Sequence, residues 1–183
     1  MRTSLKKESI MNAAEKLFNQ QGFHAVGVKS ILDQAGVAPM TMYYHFKSKE
    51  DLIIEILARR EENYFQHLEE SVNKKKNLNT YLKSLVKAHI NWLNKESYNG
   101  CLFLRAKQEY EGINEEIVEL TIQHKTKLLT QCNQDLQSFK TSDSLGMQLS
   151  IILEGLTSII QVSGHDEVKK AAKEIIKSLK LNK

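Results

Sequence analysis

A single proline among 183 residues is the feature that most limits what this chain can fold into. Proline ends or kinks helices, so a chain with only Pro39 can run long helices almost everywhere. The first apolar stretch has the i, i+3, i+4, i+7, i+8 spacing of an amphipathic helix, with Ile10, Ala13, Ala14, Leu17 and Phe18. No segment shows the apolar–polar alternation that is typical of strands. The sequence therefore predicts an all-α protein.

Breaks between the periodic segments divide the chain into nine predicted helices. Gly22 ends the first helix, and Gly36 permits the tight left-handed turn that must follow the second. Ser48, with Asp51 three residues later, forms a capping box at the start of the fourth. The predicted helices cover about 10–21, 28–34, 39–46, 48–70, 78–94, 101–111, 114–139, 144–163 and 167–181.

Several classes of protein are disfavoured by what the sequence lacks. There is no signal-peptide pattern and no run of about 18 apolar residues, so we expect a cytoplasmic protein without membrane contact. Cys101 and Cys132 lie too far apart for zinc-site spacing and are typical of a compartment in which thiols stay reduced. Because Gly-rich phosphate loops, nucleophile elbows and His-Glu-x-x-His motifs are absent, we expect no catalytic residues, no metal and no cofactor.

The charge distribution points weakly towards nucleic acid. The chain has a net charge of +4, and residues 1–50 hold seven Lys/Arg against four Asp/Glu. Within that part, the two short predicted helices joined by Ala35-Gly36-Val37 form the skeleton of a helix-turn-helix. Ala35 is small where the two helices approach, Gly36 supplies the turn, and Val37 fills the space between them. In such a unit the second helix enters the major groove.

An ordered pattern of about 45 residues makes this interpretation specific. Its members are Gly22-Phe23, Val26-Gly27-Val28, Ile31, Ala35-Gly36-Val37, Thr41, Tyr43-Tyr44-His45-Phe46, Lys47-Ser48-Lys49 and Leu52. In this order and spacing they resemble the N-terminal domain of the TetR/AcrR family of transcriptional regulators. The resemblance implies a three-helix helix-turn-helix DNA-binding domain at residues 1–47, followed by a helical-bundle ligand-binding and dimerisation domain at residues 48–183.

The same resemblance implies a function and partners. It indicates a repressor that a small-molecule inducer of unknown identity releases from its operator. A homodimer presents two reading helices, so the expected partner is double-stranded DNA with an inverted repeat. The expected DNA-binding residues are Lys29, Ser30, Pro39, Met40, Thr41, Tyr43, His45 and Lys49. Tyr44 and Phe46, pointing the other way, are expected in the core.

The chain departs from the family pattern at the starts of the second and third helices. Val26 and Gly27 replace the usual hydroxyl residues, and Ala38 stands where Ser is common. Pro39-Met40 replaces the usual Lys-Gly, so base reading there is expected to rely on apolar contact, for example with thymine methyl groups.

The second domain is expected to dimerise and to bind the inducer. Gly155 permits close backbone approach to a partner, and the expected dimer-interface residues are Met147, Ile151, Gly155, Ile159 and Ile175. The expected ligand-binding residues, between the fourth to eighth helices, are Leu57, Tyr64, His89, Trp92, Cys101, Phe103, Gln108 and Tyr110. For both sets the alternative is ordinary core packing within one chain.

Cys101 carries a further hypothesis. The stretch Asn99-Gly100-Cys101-Leu102-Phe103-Leu104-Arg105-Ala106, with Glu109 beyond it, resembles a Gly-Cys-Leu segment in a branch of the family that includes regulators sensing electrophiles through cysteine. A thiol at a helix N-terminus has its thiolate favoured by the helix dipole. The alternative is that Cys101 simply packs well after a glycine, and Cys132 is expected to be inert core. The rival to the whole functional interpretation is a helical protein-interaction module whose helix-turn-helix does not bind DNA.

Overall fold

The computed structural model describes residues 5–95 and 99–179. Within these ranges the chain forms nine α-helices and no strand, which confirms the all-α prediction. They are α1 Leu5–Gln21, α2 Val28–Ala35, α3 Pro39–His45, α4 Lys49–Ser71, α5 Leu78–Lys95, α6 Leu102–Tyr110, α7 Glu115–Gln137, α8 Leu145–Ile159 and α9 His165–Ser178. The predicted end of the last helix at residue 181 lies outside the described residues.

The start of α4 is fixed by the predicted capping box. The Asp51 N–H donates to Ser48 Oγ at 3.0 Å, as the motif requires. The Asp51 carboxylate reaches back one residue further than the motif predicts and accepts the Lys47 N–H at 3.0 Å. Farther along the chain, α8 ends at Ile159 rather than near 163, and Gly164 is the extended N-cap residue of α9.

The first compact unit consists of the residues up to Glu61 together with Leu102–Gln123. In it α1 packs against α2 and α3. Glu15 on α1 forms ion pairs with Arg59 at 2.7 Å and with Arg60 at 2.9 Å, which joins α1 to α4. The buried apolar side chains include Ile10, Ala14, Phe18, Phe23, Ile31, Met42, Phe46, Leu52 and Ile56.

The second compact unit consists of Glu62–Cys101 together with the residues from His124 onward. Helix α5 contacts both α8 and α9, and these two helices also contact each other. Their apolar faces form a core that includes Tyr81, Leu82, Leu149, Leu153, Ala172 and Ile176. Cys132 is buried in this core, as the sequence predicts. Over the described residues, no helix is long and apolar enough to cross a lipid bilayer.

Candidate DNA-binding surface

The turn between α2 and α3 has the geometry that its residues predict. Gly36 ends α2 in the left-handed region, at φ 66° and ψ 36°, where a β-carbon would strain the backbone. The N–H groups of Gly36 and Val37 both donate to the Leu32 carbonyl, the latter at 3.2 Å. Ser9 Oγ donates to the Ala35 carbonyl at 3.0 Å, so α1 also satisfies the last turn of α2.

Helix α3 has one buried side and one side open to solvent. Met42 and Phe46, four positions apart, are both buried. Met40, Tyr43 and Tyr44 are exposed by 79%, 58% and 84%. A seven-residue helix that leaves three large side chains in water presents them for something other than its own core.

The prediction that Tyr44 belongs to the core is wrong. At about 100° per residue, Tyr44 lies nearly opposite the face shared by Met42 and Phe46. Its ring is instead on the surface, in edge contact with His45 at a centroid distance of 4.9 Å. Phe46 is buried, as expected.

The other predicted DNA-binding residues differ in their exposure. Lys29, Ser30 and Pro39 are exposed, whereas Thr41 and His45 are half-buried. Gly27 and Ala38 are the N-cap residues of α2 and α3, and neither supplies a side-chain cap. The first amides of α2 therefore remain available to an external acceptor such as a phosphate.

Lys49 has a partner inside the first unit. Its Nζ donates to the Phe23 carbonyl at 2.6 Å and lies 5.9 Å from the centroid of the Phe18 ring. Partial burial lowers the pKa of Lys49, and the nearby Glu50 and Glu109 carboxylates oppose this shift. Contact of Lys49 with a DNA phosphate stays a prediction, and it requires the ammonium to leave or share the Phe23 carbonyl.

Two residues of α6, to which the sequence analysis assigned no role of their own, hold the loop between α1 and α2. Arg105 Nη1 donates to the carbonyls of Phe18 at 3.1 Å and Asn19 at 2.9 Å, at the end of α1. Glu109 accepts the backbone N–H groups of the next turn, from Phe23 at 3.0 Å and His24 at 2.6 Å. The position of α2 in the first unit thus depends partly on α6.

The predicted ligand-binding residues fall into separate groups. Tyr64, His89 and Trp92 come together in the second unit, where the Tyr64 ring centroid is 5.3 Å from that of Trp92 and 5.9 Å from that of His89. Leu57, Phe103 and Tyr110 are buried in the first unit, and Gln108 is exposed there. Ligand binding by these residues stays a prediction.

Both ring nitrogens of His89 have hydrogen-bond partners. Its Nε2 is 3.0 Å from the Leu153 carbonyl and 2.9 Å from Thr157 Oγ1, and its Nδ1 is 2.9 Å from the Tyr64 hydroxyl. A carbonyl only accepts, so the proton is on Nε2 and the Tyr64 hydroxyl donates to Nδ1. Burial, and then the charge of Lys125, lowers the pKa of His89 to about 4, so the ring is neutral.

Cys101 is half-buried and has a charged neighbour. Lys125 Nζ lies 3.2 Å from the Cys101 sulfur and forms a 2.6 Å ion pair with Glu154. Burial by itself lowers the pKa of Lys125, but Cys101 and Glu154 reverse this effect, and the net pKa is raised. Among the described residues, no three His, Cys, Asp or Glu side chains converge as a metal site would require.

The predicted dimer-interface residues are exposed on the isolated chain. Met147, Ile151, Gly155 and Ile159 recur every four residues and share one side of α8, with Ile151 exposed by 65%. A β-carbon added at Gly155 meets no atom of this chain within 4 Å. Ile175 on α9 is exposed by 42%. These residues are therefore not packed inside the single chain, which was the alternative interpretation.

Comparison with known proteins shows which regulators the N-terminal part of the chain resembles. Residues 10–56 match the family model of bacterial regulatory proteins, tetR family. The chain is 31% identical over 88 residues to a fatty acid metabolism regulator protein of Bacillus subtilis, covering 48% of this chain and 45% of that one. It is 36% identical over 63 residues to the HTH-type transcriptional regulator UidR of Escherichia coli, covering 34% of this chain and 32% of that one. Both matches span less than half of the relative.

The fold of the whole chain is also found among solved structures. A TetR-family transcriptional regulator from Streptomyces coelicolor superimposes with a TM-score of 0.87 over 95% of this chain and 93% of that one, at 19% identity. At this low identity the superposition shows the shared fold alone, and the family match is confined to residues 10–56. In residues 10–56 the chain thus matches the tetR family of bacterial regulatory proteins, and over nearly its whole length it shares the fold of a solved TetR-family regulator.

Proposed function

We propose that this protein is a DNA-binding transcriptional repressor that a small molecule releases from its operator. Residues 1–47 form the DNA-binding domain in this proposal, and residues 48–183 bind the ligand and the second subunit. The observation that carries it is the open side of α3, where Met40, Tyr43 and Tyr44 project into solvent beside a glycine-built helix-turn-helix. Met40 supplies an apolar contact for thymine methyl groups, and the tyrosine hydroxyls reach phosphates or base edges.

The curated relatives support the same class of function. Their names describe a metabolism regulator and an HTH-type transcriptional regulator, and the shared segment contains the helix-turn-helix. The exposed lysine of α2, Lys29, and the uncapped amides at its N-terminus are suitable phosphate donors.

The proposal is tested by selecting bound DNA from a random pool and measuring affinity for the enriched sequence by fluorescence anisotropy. We expect an inverted repeat, and an affinity that falls steeply as salt rises, because phosphate contacts release counterions. Tyr43→Ala is expected to weaken binding about tenfold or more, as loss of one specific contact does. The control is Ile113→Ala, an exposed apolar residue that follows α6, which should bind like the wild type. Absence of an enriched sequence would reject the proposal.

Release by a ligand is tested through linkage. A compound that frees the operator must bind the free protein more tightly than the DNA-bound protein, since a ligand shifts an equilibrium only by its differential affinity. Compounds that lower the anisotropy signal are titrated with and without operator, using the fluorescence of Trp92, the sole tryptophan. Equal affinity in both titrations would rule out this mechanism of release.

The second candidate function is a helical protein-interaction module, and the exposed apolar side of α3 fits that function as well. The two are separated by retention on heparin. A DNA-binding protein elutes at a position that depends strongly on salt and is competed by duplex DNA, whereas a protein-interaction surface shows neither property.

A further inference from the structure

A groove between α5 and α9 in the second unit is lined by lysines and belongs to none of the surfaces described so far. Its volume is about 620 Å³, within the range of pockets that hold small molecules. The lysines that line it are Lys83, Lys87, Lys169, Lys173 and Lys177. Within the part of the chain that the structure describes, no carboxylate-bearing residue lines the groove.

The spacing of these lysines places them in two facing rows. Lys83 and Lys87 are four residues apart on α5, and the three lysines of α9 are also four residues apart, so each row follows one side of its helix. Lys169 has a 3.7 Å ion pair with the exposed Asp166. The other four have no carboxylate within ion-pair distance among residues 5–95 and 99–179. Like charges four residues apart destabilise a helix. The two rows therefore lower the stability of the chain when no anion occupies the groove.

The floor of the groove is apolar. Val86 and Ile90 from α5 meet Ala172 and Ile176 from α9 along its base. The methylene stems of the lysines extend this apolar lining up the walls and carry the ammonium groups to the rim. The groove thus combines an apolar interior with a cationic border.

We propose that this groove binds a small, water-soluble amphiphilic anion. Its apolar body lies on the floor, and its phosphate or carboxylate group lies between the two rows of ammonium groups. The lining segments, Lys83–Asn91 and Lys169–Lys177, each rise about 12 Å along their helices, which suits one small molecule. The proposal is independent of DNA binding by α3.

Other anionic partners fit less well. The charges of a flat bilayer can meet the rim, but its acyl chains cannot reach a floor recessed between two helices. Duplex DNA offers phosphates and no apolar body for the floor. An acidic helix would be held over only about two turns, because the groove is about 12 Å long.

The test is calorimetric titration of the full chain with decyl phosphate, below the concentration at which it forms micelles. The groove variant is Lys87→Gln with Lys173→Gln, which takes one charge from each row. The control is Lys75→Gln with Lys76→Gln, an equal charge change at two exposed residues outside the groove. We expect the groove variant to bind about tenfold more weakly or worse, and the control to bind within about twofold of the wild type. Equal weakening in both variants would overturn the proposal.

Two further probes separate the contribution of the charged group from that of the apolar tail. Ethyl phosphate keeps the charge and loses most of the tail, and decyl maltoside keeps the tail and loses the charge. Each is expected to bind at least about tenfold more weakly than decyl phosphate, because each removed methylene and each removed charge carries part of the affinity. Affinity equal to that of decyl phosphate for either probe, or retention by phosphatidylglycerol vesicles that the groove variant does not reduce, would contradict a site for a small amphiphile.

A stability measurement guards against a purely structural explanation. Gln has nearly the same helix propensity as Lys, and the two substitutions remove all three like-charge pairs within the rows. The melting temperature of the groove variant is therefore expected to be unchanged or higher, while its binding falls. A lower melting temperature together with lost binding would show that these lysines serve the fold.

Discussion

His24 and Glu109 are joined twice, although 85 residues separate them in the chain. The His24 N–H donates to Glu109 Oε2 at 2.6 Å, and His24 Nε2 lies 2.6 Å from the Glu109 carbonyl. A carbonyl only accepts, so Nε2 carries a proton. The other carboxylate oxygen accepts the Phe23 N–H at 3.0 Å, and a β-carbon added to Gly22 would lie 2.7 Å from it. The loop that leads into α2 is therefore shaped around one carboxylate.

Glu109→Ala is expected to lower the free energy of unfolding by about 1.5–3 kcal/mol, because a charged acceptor of two backbone amides is lost. The amides of Phe23 and His24 should then exchange with deuterium much faster. The measurement is urea unfolding combined with hydrogen exchange. Glu111→Ala is the control, since Glu111 is exposed and its ion pair among the described residues is with Lys107, four residues before it. Unchanged exchange at both amides would contradict the role of Glu109.

Tyr44→Ala and Phe46→Ala are expected to differ sharply in stability. Phe46 is buried, and its loss should cost about 3–5 kcal/mol. Tyr44 is exposed, so its removal should change stability by about 0.5 kcal/mol or less. Thermal unfolding of the two variants decides the matter. A large loss of stability in Tyr44→Ala would place that ring in the core after all.

His89 is expected to make the protein sensitive to mild acid. Its pKa is about 4 in the folded state and about 6.5 when unfolded, so the unfolded chain binds more protons between these values. The contribution of His89 to the free energy of unfolding is therefore fully present above about pH 6.5. It falls as the pH drops towards 4, by at most about 1.4 kcal/mol per pH unit. Urea unfolding at pH 7 and 5.5 measures this slope. His89→Gln should be less stable at pH 7 but show a flatter slope, and an identical slope would exclude His89 as its source.

The two cysteines are expected to react differently. Burial raises the pKa of Cys132 to about 11, so at pH 7.5 it is almost entirely a protonated, inaccessible thiol. Cys101 is half-buried with Lys125 beside its sulfur. N-Ethylmaleimide should therefore label Cys101 first, as read by mass spectrometry.

If Cys101 is a sensor, a quinone will release wild-type protein from its operator, whereas Cys101→Ser will stay bound. Release of both proteins to the same extent would leave Cys101 with a packing role only.

Ile151→Arg is expected to abolish self-association, because it places a charge on the exposed apolar side of α8. Sedimentation velocity at micromolar concentration should show a dimer for the wild type and a monomer for the variant. Ile122→Arg is a matched control, an isoleucine on α7 that is exposed by 45%. A variant that remains dimeric would show that the interface lies elsewhere.

The sequence predicted the helices and the turn between α2 and α3 because both depend on local chemistry. Apolar periodicity marks each helix, and Gly36 marks the left-handed residue. Tyr44 was misplaced because a short predicted helix that ends in four successive ring-bearing residues gives no clear phase, and one step rotates a side chain by about 100°.

The support of the helix-turn-helix by α6 could not be predicted in this way. Arg105 and Glu109 bind backbone groups that are 85 to 87 residues away in the chain. Nothing in the local pattern of α6 identifies such partners. The same holds for the lysine groove, whose two rows are regular on their own helices but face each other only in the folded chain.

The division of the first unit into two stretches has a consequence for biosynthesis. A ribosome that has produced the chain as far as Glu61 has made the whole helix-turn-helix, but not the α6 side chains that pair with the Phe18, Asn19, Phe23 and His24 backbone. These groups lack their α6 partners until about 50 further residues have emerged, which takes several seconds at ordinary rates of translation. Completion of the unit is thus a late event in synthesis, and a nascent chain cannot complete the contacts of the loop between α1 and α2 before α6 is made.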